Sequence, residues 1–366
     1  MDDVKVVSPY LFVICYVLYI AMGIASFSLV SGQFIIYPVT FLFIGVGLTL
    51  YVLGCQFVLP DRRRFYFLLL AAVVTFYAYR EYGVLGLGIP IFGMIALSYV
   101  EKMKAEWLLA LGVSLLVIQL LLGGIPLMDS QIRRASVTPL FVFGYSFLFL
   151  GLTFLTVSQD LKYVAAASIS SLFLLSLFTF RVYIMELMIA VSISLYMLKK
   201  VKAVHVIVSA VPLFLLILVV GYISVSYQEW EFNPLELFFF RPAFTFGVLN
   251  RVVHEAQFLG IAHGDIWLRV SSAETIGTYL FGYESNITST IMGPLIFDGG
   301  IAELGVMAFF GAVANTVYRK AVTDKSKIPY YSILMAMFLV GIDVSFIPSI
   351  VFLFLAGLYL VSAPGT

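Results

Sequence analysis

Arg241, Arg251, His254, His263 and Arg269 all fall within Phe238–Val270, in a chain that has only three histidines. A guanidinium presents a planar fork of N–H donors that fits the edge of a phosphate, which the point charge of a lysine does not. Helix signals frame these residues. Asn233 is expected to cap a helix with Pro234 at its first position, and a second helix is expected to run from Pro242 to Phe258. At about 100° per residue, Asn250, Arg251, His254 and Glu255 share an arc of about 140°. Phe246, Val248, Leu249, Val252 and Val253 occupy the opposite arc, the pattern of an amphipathic helix at a membrane interface. Arg251 and Glu255 are also spaced to pair at i, i+4. Trp267 and Tyr279 are candidates for stacking on sugar rings.

The scaffold that must position these residues is a membrane one. The chain is 62% hydrophobic and 11% charged, with a mean hydropathy of +1.07 over 366 residues, outside the soluble globular range. Twelve apolar runs of roughly span length follow one another: 10–29, 34–59, 65–79, 83–100, 107–123, 138–158, 163–180, 182–198, 203–225, 299–317, 329–346 and 350–363. The first exceeds an ordinary signal-peptide core and no A-x-A site follows it, so it is expected to remain as a span. With Met1 inside, every lysine falls in an inner loop together with Arg62, Arg63, Arg64 and Arg319, and both termini are cytoplasmic. Arg80, Arg133, Arg134, Arg181, Arg241, Arg251 and Arg269 fall outside, all of them arginine. The inner basic clusters set topology and touch anionic headgroups. The outer side carries a short loop, Gly123–Ser136, and one dominant loop, 226–298, ahead of the last three runs. The expectation is an all-α, polytopic integral membrane protein forming one domain, 1–366, with about twelve transmembrane helices and this large extracytoplasmic loop.

Other chemistries lack their residues. No H-x-x-x-H or H-E-x-x-H is present, and Cys15 and Cys55 lie in apolar runs, so no metal site is expected. No Walker loop, strand-based G-x-G-x-x-G, D-x-D or G-x-S-x-G appears, and neither nucleic acid nor a cofactor is implied. Twelve spans also suit a transporter, but Glu186, Asp298, Glu303 and Asp343 are the few ionisable candidates near mid-membrane, and no half-chain repeat is evident. Glu186 is placed to reach back toward Arg181, and Asp298 to bond loop backbone. What remains is a basic outer site beside the membrane, suited to a lipid-linked phosphate or pyrophosphate.

Three stretches resemble oligosaccharide repeat-unit polymerases, the O-antigen polymerase family related to O-antigen ligases. They are "GGIPLMDSQIRR", followed by "PLFVFGYSFLFLGL"; "TSTIMGPLIFDGGIAELGVMAFFGAVANTVYR"; and the arginine-led "FRVYIMELMIAVSISLYML". Arg133 and Gly144 match the arginine, ten residues, glycine spacing of some members. The resemblance implies a GT-C-like membrane glycosyltransferase that joins polyprenyl-pyrophosphate-linked oligosaccharides at the outer face of the cytoplasmic membrane, with lipid pyrophosphate leaving. Arg133, Arg134, Arg241, Arg251 and Arg269 are then the pool of phosphate ligands, Arg241 and Arg251 foremost. Glu255, His254, Glu274 and His263 are candidates for receiving the hydroxyl proton, with Glu255 or His254 favoured for sharing a face with Arg251. A chain-length regulator is an implied partner. An O-antigen-ligase-like transferase and a flippase of lipid-linked glycan are the rival readings.

Overall fold

The computed structural model describes residues 7–84, 99, 102–129, 132, 135–226, 233–268, 272–282, 287–344 and 347–362, and every regular element among them is helical. In chain order the α-helices are α1 (Leu11–Ala25), α2 (Val39–Gly54), α3 (Arg63–Tyr82), α4 (Ala105–Gly123), α5 (Pro139–Ser158), α6 (Leu161–Ser176), α7 (Arg181–Met197) and α8 (Ala203–Ser226). They continue with α9 (Pro234–Ala256), α10 (Asp265–Leu268), α11 (Ser272–Phe281), α12 (Met292–Glu303), α13 (Val306–Thr323), α14 (Ile328–Val340) and α15 (Ile347–Val361). Nearly all of the run 83–100 lies outside the described residues. By length and composition α4 and α5 can each cross a membrane, and α12 with α13 adds a third crossing if the bent pair is one span.

The expected run 299–317 is corrected: it is not one helix. α12 is interrupted at Gly299 and Gly300, and α13 leaves at 107° to it. Gly300 has φ +64°, a conformation open to glycine and costly for other residues, so the chain turns where a side chain would oppose it.

The chain divides into two compact units. One contains residues 102–238 and 321–336. Here α4 and α5 pack backbone to backbone, because a Cβ at Gly112 would overlap Leu148 and one at Gly151 would overlap Leu109. Thr138 caps α5 by accepting from Phe141 N–H, with Pro139 at the first helical position. Glu186, 2% exposed, accepts from the Tyr145 hydroxyl at 2.6 Å rather than reaching toward Arg181. A buried carboxylate needs a donor, and α5 supplies it.

The second unit contains residues 2–101, 239–320 and 337–366. Phe12, Tyr51, Phe310, Phe338 and Phe354 form its aromatic core, with ring centroids 4.1 to 5.6 Å apart. α2 and α13 approach closely through Gly54 against Ala308 and Gly311 against Tyr51. All of the site described next lies in this unit, apart from the first turn of α9.

Candidate functional site

α9 is the backbone of the site, and it corrects the sequence reading. It is one helix, not two: it starts at Pro234, runs through Pro242 and ends at Ala256. The start is a capping box, in which Asn233 Oδ1 accepts from Glu236 N–H at 2.8 Å and Glu236 Oε2 accepts from Asn233 N–H at 3.0 Å. Pro242 removes one ladder bond and normally ends a helix. Here α1 presses on that point, with Gly23 so close to the Pro242 carbonyl that a Cβ would lie 2.7 Å from it. Ser26 Oγ donates to the Phe239 carbonyl at 3.1 Å, adding a partner near the proline's break in the ladder.

The expected apolar arc is the buried one: Phe246, Val248, Leu249 and Val252 are fully buried and Val253 nearly so. Of the polar arc, His254 and Glu255 are exposed and Arg251 is half-buried. Asn250 departs from expectation by being fully buried. Its Oδ1 accepts from Tyr37 N–H at 2.9 Å and Thr40 Oγ1 at 2.6 Å, and its amide donates to the Ile35 carbonyl. That set ties the segment entering α2 against α9.

Arg251 lies with its guanidinium carbon 5.1 Å from the centroid of Phe281 in α11. It forms no hydrogen bond or ion pair with a described residue, so the expected pairing with Glu255 is absent. A cation on a ring face whose N–H donors engage no described residue has the chemistry to bind an anion. One turn on, the His254 ring lies 4.0 Å from that of Tyr37. Glu255 makes no bond with a described residue and stands exposed beside it.

Arg241 sits on another face. Ten residues at 1.5 Å and 100° each put it about 15 Å along the axis from Arg251 and about 80° around it, so the two guanidiniums do not converge on one level. Its Nε donates to both oxygens of Asp343, at 3.0 and 3.2 Å. Asp343 Oδ1 also accepts from the Tyr19 hydroxyl and from Thr245 Oγ1 at 3.3 Å. Thr245 lies 3.3 Å from Thr288 Oγ1, and Tyr16 bonds Thr290 Oγ1 at 3.0 Å. Thr290 has φ +63°, an outlier for a β-branched residue, and its hydroxyl is further engaged by Met292 N–H at 3.3 Å. Sequence reasoning missed this network. Its one visible signal is the i, i+3 spacing of Tyr16 and Tyr19 in an apolar run.

The rest of the long loop ahead of α12 folds onto that helix. The Asp298 carboxylate accepts from Gly264 N–H with both oxygens at 2.9 Å and from Ile266 N–H at 3.1 Å, the backbone role expected of it. Ile261 and Ala262 donate to the Phe297 carbonyl, and His263 to that of Asp298. Trp267 donates its indole N–H to Glu303, and the Trp267 carbonyl accepts from Tyr77. Tyr279 is 55% exposed, with its ring edge-on to Phe297 at 5.3 Å, which leaves a face open for stacking. His263 is exposed at φ +45°, and Glu274 is exposed at the start of α11. The structure thus gathers Arg251, His254 and Glu255 on one helix, sets Arg241 apart, and holds Glu274, Trp267 and Tyr279 on neighbouring elements. Arg133, Arg134 and Arg269 lie outside the described residues. Among those described, no group of three His, Cys, Asp or Glu could hold a metal ion.

Comparison with known proteins bears on this arrangement. The family described as "Putative O-antigen polymerase" matches residues 5–355. An uncharacterized protein of Methanocaldococcus jannaschii is 27% identical over 254 residues, covering 68% of this chain. The chain spans 62% of the length of that relative. No solved structure matches. With an apolar, all-helical chain matched over nearly its full length, the protein is a membrane protein and belongs to the O-antigen polymerase family.

Proposed function

We propose that the protein polymerises polyprenyl-pyrophosphate-linked oligosaccharide repeat units at the outer face of the cytoplasmic membrane, as a GT-C-like enzyme of about twelve spans with both termini inside. A sugar hydroxyl of one lipid-linked unit attacks the anomeric carbon of the glycan on another carrier. The new C–O bond forms as the bond to the diphosphate breaks, the bonding pair leaves with the diphosphate, and the hydroxyl proton passes to a base. Charge grows on the departing diphosphate, so a cation with unengaged donors gains binding strength in the transition state. Arg251 answers that demand, with Arg241, Arg133, Arg134 and Arg269 completing the arginine pool. Glu255 takes the proton, since it lies one turn from Arg251 and is not paired to it, and His254 is the neighbouring alternative. Glu274, exposed on α11, is a further candidate for this role. Trp267 and Tyr279 supply sugar contacts, and a chain-length regulator is the expected protein partner.

The observation that carries this reading is the Arg251 guanidinium, stacked on Phe281 and bonded to no described residue, on the same helix end as His254 and Glu255. The test is incubation of purified protein with a synthetic polyprenyl-pyrophosphate oligosaccharide, resolving glycans by size. Wild type is expected to give a ladder spaced by one repeat unit. Arg251→Lys, which keeps the charge but loses the fork, is expected to lower kcat/KM by about 10- to 100-fold, the scale of one or two charge-assisted hydrogen bonds. A single transfer without a ladder would instead favour the ligase reading, and no product with competent substrate would favour a flippase.

A further inference from the structure

The Arg241–Asp343 contact is built in an uncommon way. A structural arginine–carboxylate pair usually matches two N–H donors to two oxygens, using the guanidinium fork fully. Here Nε alone serves both Asp343 oxygens, and neither terminal Nη group donates to a described residue. The Arg241 side chain keeps 38% of its surface exposed, while Asp343 keeps 21%. Asp343 is itself fixed by the Tyr19 hydroxyl of α1 and by Thr245, four residues beyond Arg241 on α9. A carboxylate with this many donors has little freedom to turn, and it holds the guanidinium by its inner nitrogen.

We infer that Asp343, braced by Tyr19 and Thr245, is a positioning residue that fixes Arg241 with both Nη groups presented to a diphosphate. The inference rests on the proposed role of the outer arginines and adds to it the device that aims one of them. Arg241 acts on the ligand; Asp343 acts only through Arg241. Two effects oppose each other if Asp343 loses its charge. Removing a negative group near an anion site strengthens attraction, whereas releasing the guanidinium weakens the fit of its fork. The inference requires that the second effect wins.

The experiment measures binding of inorganic pyrophosphate to the detergent-purified full chain by calorimetry, which needs no polymer to form. Asp343→Asn is expected to weaken binding about tenfold, the order seen when an orienting partner behind a binding group is removed. The same substitution in an Arg241→Gln background is expected to change nothing further, because the group being aimed is gone. Tyr19→Phe, which deletes one brace and keeps the ring, is expected to weaken binding by a smaller factor and carries the test if Asp343→Asn does not fold. Unchanged or tighter binding in the variants overturns the inference, as does an equal loss in the Arg241→Gln background. Absence of pyrophosphate binding by wild type also overturns it, even where a repeat-spaced ladder upholds the polymerase reading. Weakened binding in a protein that makes no ladder upholds the aimed arginine and removes the polymerase.

Discussion

Asp298 shows how a single side chain can organise a loop by gathering its backbone donors. Its carboxylate collects the N–H groups of Gly264 and Ile266, which α10 has no earlier turn to satisfy. The residue is 2% exposed, so water cannot replace those bonds. Asp298→Ala leaves the donors orphaned and is expected to destabilise the protein by about 1–3 kcal/mol, whereas Asp298→Asn keeps one acceptor oxygen and is expected to lose less. Thermal unfolding in detergent checks both, and equal melting temperatures for wild type and the alanine variant would remove Asp298 from this role. At the same scale, the residues with chemistry to offer outward are the half-buried Arg251 and the exposed His254 and Glu255. They sit on α9, while the buried polar residues Asn250 and Thr245 of that helix are engaged inward.

Elements, in turn, are placed by contacts that a local reading of the chain does not show. The apolar, all-helical character was legible because it depends on residues close in sequence, and α9's buried arc followed from helical period alone. The continuity of α9 through Pro242 was not legible, since it depends on Gly23 and Ser26 more than 200 positions away. The interruption of α12 was missed for a related reason. Hydropathy continues across Gly299–Gly300, and only the meeting of two chain segments shows why the helix stops. A Cβ at Gly300 would overlap the Phe258 carbonyl, and one at Gly260 that of Asp298, so each glycine admits the other's strand of backbone. Gly264 also has positive φ, at +103°, but open space around its Cβ position. Gly264→Ala is therefore expected to cost only backbone strain, about 1–2 kcal/mol, while Gly300→Ala adds a steric clash and frees the loop. Limited proteolysis within residues 257–268 reads the difference: faster cleavage in Gly300→Ala than in Gly264→Ala is expected, and the reverse order would sink the account.

For the whole molecule, the division of lysine from arginine and the position of the α9 site make one combined claim about sidedness. On the proposed reading, α9 must face the side where lipid-linked units are joined, and the lysine-bearing loops must face the cytoplasm. The candidate site was legible in part at this scale: Arg251, His254 and Glu255 lie together as their spacing required. Arg241 found its carboxylate 102 positions away at Asp343, a pairing no periodicity announces. Sidedness can be read directly in a background with Cys15→Ala and Cys55→Ala, since these are the two cysteines in the chain. Glu255→Cys, at an exposed position on α9, is expected to react with a membrane-impermeant maleimide in intact cells. Lys325→Cys, exposed in the turn between α13 and α14, is expected to react only after permeabilisation. Both substitutions replace exposed side chains, so the fold should tolerate them within about 0.5 kcal/mol. Labelling of Lys325→Cys but not Glu255→Cys in intact cells would invert the topology and put the arginine face in the cytoplasm. An enzyme joining units at the outer face could not then use it, and the rival readings would have to begin from that orientation.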